Sequence, residues 1–204
     1  MRYPMGSGGR NLGGRRLAIT VAAAVVVLVG GGVALWLNVG DGEAPSYTDA
    51  AWKEVVPGGD CHCADGSEFA FWDRLADPTK VVLFLNGGGV CWDATSCAFT
   101  SAGPPGENDF YDWNLQSDGP GSSFDEDGIF DFANHDNPFA DYSFMYVAGC
   151  TGDAHLGNVS QKYSDTLTVE HNGYVNGTAA LDYLAENYPD ANQVVVIGKT
   201  AGSI

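Results

Sequence analysis

The 204-residue chain is rich in glycine, with 28, and acidic, with a formal net charge of −17. All 26 acidic residues follow position 40, where only five basic residues occur, so that part of the chain carries 5 − 26 = −21. This charge argues against a nucleic-acid partner, because phosphate binding needs clustered lysine and arginine. The length suits one domain of ordinary size together with an N-terminal anchor.

The N-terminus predicts a membrane anchor. Residues 1–16 contain four arginines and no acid, which is typical of a cytoplasmic tail, and residues 17–40 contain no charge. As a helix at about 1.5 Å per residue, residues 17–40 exceed the roughly 30 Å hydrocarbon core of a bilayer. Arginines before this run, with Asp41 and Glu43 after it, predict a signal-anchor with the N-terminus inside. A cleaved signal peptide is the alternative, and both place the rest of the chain outside the cytoplasm.

A polar, turn-rich linker is expected over residues 41–51, and a folded domain over 52–204. The domain begins with Cys61 and Cys63, which flank a histidine. One residue between two cysteines is too tight for a zinc site, and no matching Cys/His pair follows, so we expect no metal here. Disulfides are the better expectation outside the cytoplasm, and with five cysteines one is left over.

A buried strand is predicted at residues 81–85, and three glycines follow it closely. Backbone N–H groups at Gly88 and Gly89 are free to approach an oxygen, as in half of an oxyanion hole. Cys91 and Cys97 enclose a small loop that a disulfide would stiffen. Trp92, between them, is either the wall of an apolar pocket or a packing residue.

Residues 101–125 are rich in Gly, Pro, Asp and Asn, and they predict a long irregular loop. A third buried segment, 143–147, predicts a strand, and Asp153 and His155 come soon after it. Ligands of open α/β sheets gather at the carboxyl ends of strands. These two side chains are therefore candidates to line a substrate cleft, although they also fit a polar turn.

A helical pattern begins at Asn176 and is closed by Pro189. The apolar run 194–197 then predicts a strand buried on both faces, as in a parallel sheet. This order of helix, short loop and buried strand is typical of a doubly wound α/β sheet.

The last strand leads into Gly-x-Thr-x-Gly, centred on Thr200 between Gly198 and Gly202. Such a turn lifts the central hydroxyl above the sheet and directs the N–H of Ala201 towards whatever that hydroxyl attacks. A phosphate-binding loop would need a glycine five residues before Gly198, where Gln193 stands. A glycine-rich turn without chemistry is the remaining alternative.

Several short blocks, in order over residues 52–204, together resemble the N-terminal half of the pectin acetylesterase/Notum carboxylesterase family. The blocks are Cys63-x-Asp65-Gly66-Ser67; Gly87-Gly88-Gly89-x-Cys91-Trp92-Asp93 with Cys97; Asn137-Pro138-Phe139-Ala140-Asp141 before Cys150-Thr151-Gly152-Asp153-x-His155-x-Gly157; Gly173-x-x-Asn176; and Gly198-x-Thr200-Ala201-Gly202-Ser203. The resemblance implies an α/β-hydrolase fold and an extracytoplasmic esterase that needs neither metal nor cofactor. Its substrate would be an acylated carbohydrate or an acylated protein. Thr200 would be the nucleophile, with Gly88, Gly89 and Ala201 binding the oxyanion.

The chain departs from this pattern in two ways. Thr200 stands where the family has serine, and its extra methyl group restricts χ1 in a crowded turn. In this fold the acid and base follow the nucleophile in the chain, and only four residues follow Thr200. We therefore expect either a fragment or a degenerate relative, inactive as this chain alone, whose last strand has an unpaired edge. A membrane-tethered module that binds carbohydrate without catalysis is the alternative function.

Overall fold

The computed structural model describes residues 24–29, 32–37, 45–101, 105–116, 119–120 and 128–204. The chain divides into two units, Met1–Ala44 and Pro45–Ile204. The predicted cytoplasmic tail, residues 1–16, lies outside the described residues.

The described part of the first unit is a pair of antiparallel strands, β1 (Ala24–Val29) and β2 (Gly32–Leu37). The prediction of one helix over residues 17–40 is therefore wrong for these twelve residues, which form strands. A valine-rich sequence interrupted by three consecutive glycines also suits a β-hairpin, because β-branched residues favour strands and glycines favour tight turns. In the part of the chain that the structure describes, no helix has the length and hydrophobicity to cross a bilayer.

The second unit is built on a five-stranded mixed sheet. Its strands are β3 (Trp52–Val55), β4 (Phe71–Arg74), β5 (Asp77–Leu85), β6 (Tyr142–Val147) and β9 (Gln193–Gly198), in the spatial order β3-β4-β6-β5-β9. Strands β6, β5 and β9 are parallel, and β4 and β3 extend the sheet in antiparallel fashion. The carboxyl ends of β6, β5 and β9 therefore lie side by side at one edge of the sheet.

Helix α1 (Gly173–Asn187) packs against this sheet and leads into β9. Ala180 and Tyr188 are buried in the same core as the side chains of β5 and β6. The hydroxyls of Tyr183 and Tyr188 both donate to the buried carboxylate of Asp73 on β4, the first at 3.0 Å. The helix is thus held to the sheet by apolar packing and by two charge-assisted hydrogen bonds.

The predicted strands at 81–85, 143–147 and 194–197 and the predicted helix are confirmed, with the helix starting three residues earlier than expected. A mixed sheet with a covering helix fits the α/β class. The sequence did not reveal β3, β4 or a separate hairpin of β7 (Val159–Lys162) and β8 (Thr168–His171). Each of these four strands has only four residues and carries charged side chains, so no hydrophobic pattern marks it.

The last strand, β9, has an exposed side. Among the described residues it pairs with β5 only. Val194 is 50% exposed and Val196 is 63% exposed, so the prediction that this strand is buried on both faces is wrong. The prediction of an unpaired edge therefore agrees with the described residues.

Disulfides join Cys91 to Cys97 and Cys63 to Cys150. The first bond was proposed from the sequence, whereas the second links residues 87 positions apart. Cys61 is the remaining cysteine and is buried. Burial, and secondarily the charge of Asp60, raise the pKa of the Cys61 thiol, which therefore stays protonated and unreactive at neutral pH.

Candidate active site

The turn after β9 has the conformation that the glycine pattern predicts. Thr200 has a φ of 50°, which is rare for a β-branched residue, and it opens a short 3-10 helix, Thr200–Ser203. A Cβ on Gly198 would lie 2.2 Å from the carbonyl oxygen of Gly202. Glycine is therefore required at this flank of Thr200, and the strained backbone places Thr200, an exposed residue, at the end of the strand.

The glycine run after β5 lies directly against this turn. A Cβ on Gly87 would lie 1.6 Å from Thr200 Oγ1, and a Cβ on Gly149, after β6, would lie 1.5 Å from the carbonyl oxygen of Gly87. Gly87 therefore lies in close contact with both neighbouring strand ends, and neither contact leaves room for a side chain.

The next two glycines adopt backbone conformations that other residues avoid, with φ of 97° at Gly88 and 74° at Gly89. Two hydrogen bonds on either side of Gly89 join this run to the chain near Tyr111. Asp112 N–H donates to Gly88 O at 2.8 Å, and Val90 N–H donates to Phe110 O at 3.1 Å. Within the described residues, no acceptor receives the N–H of Gly88 or Gly89. Unpaired N–H groups of this kind suit an anionic oxygen.

Thr200, Gly88 and Gly89 share one open pocket of about 320 Å³. The other lining residues come from the end of β5, from the turn before Thr200 and from a loop after Gly106: they are Asn86, Glu107, Asn108, Asp109, Phe110, Tyr111, Asp112 and Lys199. The pocket therefore combines a hydroxyl, unpaired amides and a mostly acidic rim. This combination permits acyl transfer, in which a hydroxyl attacks a carbonyl whose oxygen is held by N–H groups.

A comparison with family models identifies the family. The family model for pectinacetylesterase matches residues 54–204, which is most of the chain. The chain belongs to the pectinacetylesterase family. Membership indicates an extracellular carboxylic-ester hydrolase that acts on an acylated substrate. No curated protein matches the chain.

In this pectinacetylesterase-family chain, Asp153 is engaged by the protein itself. Its carboxylate accepts hydrogen bonds from the Thr151 hydroxyl at 2.7 Å and from the N–H groups of His155, Gly157 and Gly173, at 3.1, 3.1 and 2.8 Å. The last of these N–H groups begins α1, where a negative charge is favourable. These contacts favour a positioning role for Asp153, whereas its assignment to substrate binding stays a prediction.

His155 contacts the glycine run from behind. Its Nε2 lies 2.7 Å from the carbonyl oxygen of Asn86, the residue before the three glycines. Because a carbonyl only accepts, Nε2 must carry the proton and cannot take one from Thr200. His171 is engaged as well, with Nδ1 2.8 Å from Thr151 O and Nε2 3.0 Å from the Tyr163 hydroxyl. His155 therefore supports the start of the glycine run, and its predicted contact with substrate stays a prediction.

Trp92 lies beside the pocket and contacts it through Phe110. The two rings meet edge to face, with centroids 5.6 Å apart, and their side chains are 61% and 42% exposed. Two exposed rings in contact form an apolar surface at the pocket rim, which suits the apolar face of a sugar ring.

One group of side chains among the described residues has metal-ligand spacing: Cys91, Cys97 and His171. Its two sulfur atoms form a disulfide and both imidazole nitrogens are hydrogen-bonded. A metal ligand must be a deprotonated thiolate or a free imidazole nitrogen, so this group is not available as a metal site in its oxidised form.

Sequence reasoning missed the acidic loop at the pocket rim. Residues 101–125 were expected to form an irregular loop, and their described part contains no helix or strand. The sequence did not show that this loop is fixed at the pocket, where Asn108 Nδ2 donates to Ser96 O at 3.1 Å and to Ala98 O at 2.8 Å. The Tyr111 hydroxyl donates to Cys97 O at 3.0 Å. The signal that was available is the alternation of acids and aromatics in residues 107–112, since functional loops carry such residues at the ends of strands.

Proposed function

We propose that the chain is an esterase domain that removes acetyl groups from an acylated carbohydrate, or an acyl group from a protein, with Thr200 as nucleophile. Thr200 Oγ1 would attack the ester carbonyl carbon, and the N–H groups of Gly88, Gly89 and Ala201 would hold the resulting oxyanion. Loss of the alcohol would leave an acyl-threonine, which water then hydrolyses. The observation that carries the proposal is the pocket shared by the strained Thr200 turn and the unpaired glycine amides.

Hydrolysis by this chain alone is expected to be slow. Attack by a hydroxyl needs a base, and among the described residues no histidine lines the pocket that contains Thr200. The extra methyl group of Thr200 further restricts the angle of attack. The two disulfides support action outside the cytoplasm, because such bonds persist in oxidising compartments. Tethering to a membrane stays a prediction from the sequence.

Turnover of p-nitrophenyl acetate by the purified chain tests the proposal. We expect Thr200→Ala to lower turnover at least about tenfold, and Thr200→Ser to raise it, because serine lacks the restricting methyl group. Thr166→Ala, at an exposed turn between β7 and β8, is the matched control and should change nothing. Turnover that survives in Thr200→Ala would show that the nucleophile lies elsewhere.

A second candidate is a module that binds carbohydrate without cleaving it. Two observations favour it: the exposed pair of Trp92 and Phe110, and the lack of a histidine in the described lining of the pocket. Saturable binding of a saccharide by the wild-type chain, without turnover of p-nitrophenyl acetate, would support this candidate over the esterase.

A further inference from the structure

The pocket beside Thr200 carries net negative charge. Its lining contains the carboxylates of Glu107, Asp109 and Asp112 and one ammonium group, that of Lys199, so the formal charge is 1 − 3 = −2. If this pocket performs the proposed ester hydrolysis, we propose that the molecule from which it removes the acyl group is an uncharged or cationic carbohydrate and not a polyanion.

The acids are held in place at the pocket. Glu107 and Asp109 flank Asn108, whose side-chain oxygen accepts the N–H groups of Phe110 at 2.7 Å and Tyr111 at 2.9 Å. The amide nitrogen of the same side chain donates to two carbonyl oxygens of the Cys91–Cys97 loop region. The first two bonds stiffen the loop itself, and an anionic substrate could move the loop aside only by breaking the two that join it to the Cys91–Cys97 region.

Among the described residues, no lysine forms an ion pair with Glu107 or Asp109 at the rim. In the part of the chain covered by the structure, the ion pairs of lysine join Lys80 to Asp77 and Asp141 and Lys162 to Asp165, and none involves Glu107 or Asp109. The chain after position 40 carries −21 in total. A concave site with acidic walls inside a strongly acidic protein focuses a negative potential and lowers the local concentration of anions.

The aromatic pair provides an uncharged means of recognition. Trp92 and Phe110 present exposed rings at the same rim, and stacking on a sugar ring requires no charge on the sugar. A polymer rich in uronate carboxylates, such as demethylated pectin, is repelled here, whereas its methyl-esterified form or another neutral polysaccharide is accepted.

The test compares one acetylated polygalacturonate in two forms, fully methyl-esterified and demethylated, at about 20 mM and about 0.5 M salt. We expect kcat/KM for acetyl release at low salt to be about tenfold higher on the methyl-esterified form, since a charged cleft changes the local concentration of a charged substrate at least by this factor. At high salt the ratio should approach one, because salt screens the rim.

Two double variants distinguish the effect of the charges at the pocket rim from the effect of the protein's total charge. Glu107→Gln/Asp109→Asn should bring the low-salt ratio towards one. Asp182→Asn/Glu186→Gln removes the same two charges from exposed positions on α1 and should leave the ratio within about twofold of wild type. Equal effects of the two double variants, or faster release from the demethylated polymer at low salt, would overturn the proposal.

p-Nitrophenyl acetate, which is uncharged and contains no sugar, reports on ester hydrolysis separately. If the chain does not hydrolyse it, the proposed function fails, and binding of the same two polymers in affinity electrophoresis decides the charge preference. Tighter binding of the methyl-esterified form sustains the preference, and equal or tighter binding of the demethylated form refutes it.

Discussion

Replacing Gly202 by alanine should destabilise the protein by about 2 kcal/mol, because the added methyl group meets only backbone. A Cβ at Gly202 would lie 2.2 Å from Leu85 O, 2.8 Å from Leu85 C and 2.9 Å from Asn86 O. A carbon and a carbonyl oxygen in ordinary contact are about 3.3 Å apart, so the turn must move by about 1 Å from the end of β5. Overpacking of this kind costs about 1–3 kcal/mol.

Urea unfolding followed by circular dichroism measures the effect. For a slope of about 2 kcal/mol per molar urea, a loss of about 2 kcal/mol lowers the midpoint by about 1 M. Gly177→Ala is the matched control, since Gly177 lies within α1 and a Cβ there meets nothing within 4 Å. That variant should raise the unfolding free energy by about 0.5–1 kcal/mol, because alanine has the higher helix propensity.

Opposite signs for the two variants are the outcome expected from the structure. If Gly202→Ala unfolds at the wild-type midpoint, the turn after β9 does not approach β5 as closely as described, and the shared pocket is not formed. A shift of equal sign and size in both variants would mean that glycine content, and not local contact, determines the effect.

Two further predictions concern pH and the disulfides. Burial, and then Asp73, raise the pKa of Tyr183 to about 12. The contribution of Tyr183 to the free energy of unfolding is therefore complete below its unfolded-state pKa, near 10, and is lost as pH rises through 12. The urea midpoint should fall above pH 10, and it should fall less in Tyr183→Phe. Replacing Cys63 and Cys150 by alanine should lower the free energy of unfolding by about 4–5 kcal/mol, and replacing Cys91 and Cys97 should lower it by about 2 kcal/mol. The difference arises because the first bond closes a loop of 87 residues and the second a loop of 6, and the longer loop gains more entropy in the unfolded chain when its bond is removed. Equal losses of stability in thermal unfolding would contradict this reasoning.

The parallel strands of the sheet were predictable because each is a continuous apolar run that ends in glycine or polar residues. Strand β3 contains Lys53 and Glu54 among its four residues, and no periodicity distinguishes it from a loop. The valine-rich segment before residue 40 presents a different difficulty. An uncharged run of Val, Ala and Leu is compatible with a membrane helix and with a β-hairpin. Only the backbone pairing between β1 and β2 distinguishes the two, and the sequence does not show that pairing.

The sequence by itself determined the local conformations: the bend at Thr200, the glycine run after β5 and the small Cys91–Cys97 loop. These depend on the backbone angles and Cβ contacts of neighbouring residues, which the residue types specify directly. Only the tertiary structure decided that an acidic loop lines the pocket, that His155 donates to Asn86 and that Cys63 pairs with Cys150. Such contacts depend on strand order, because a parallel sheet brings segments far apart in the chain to one edge, and no local pattern encodes which segments meet there.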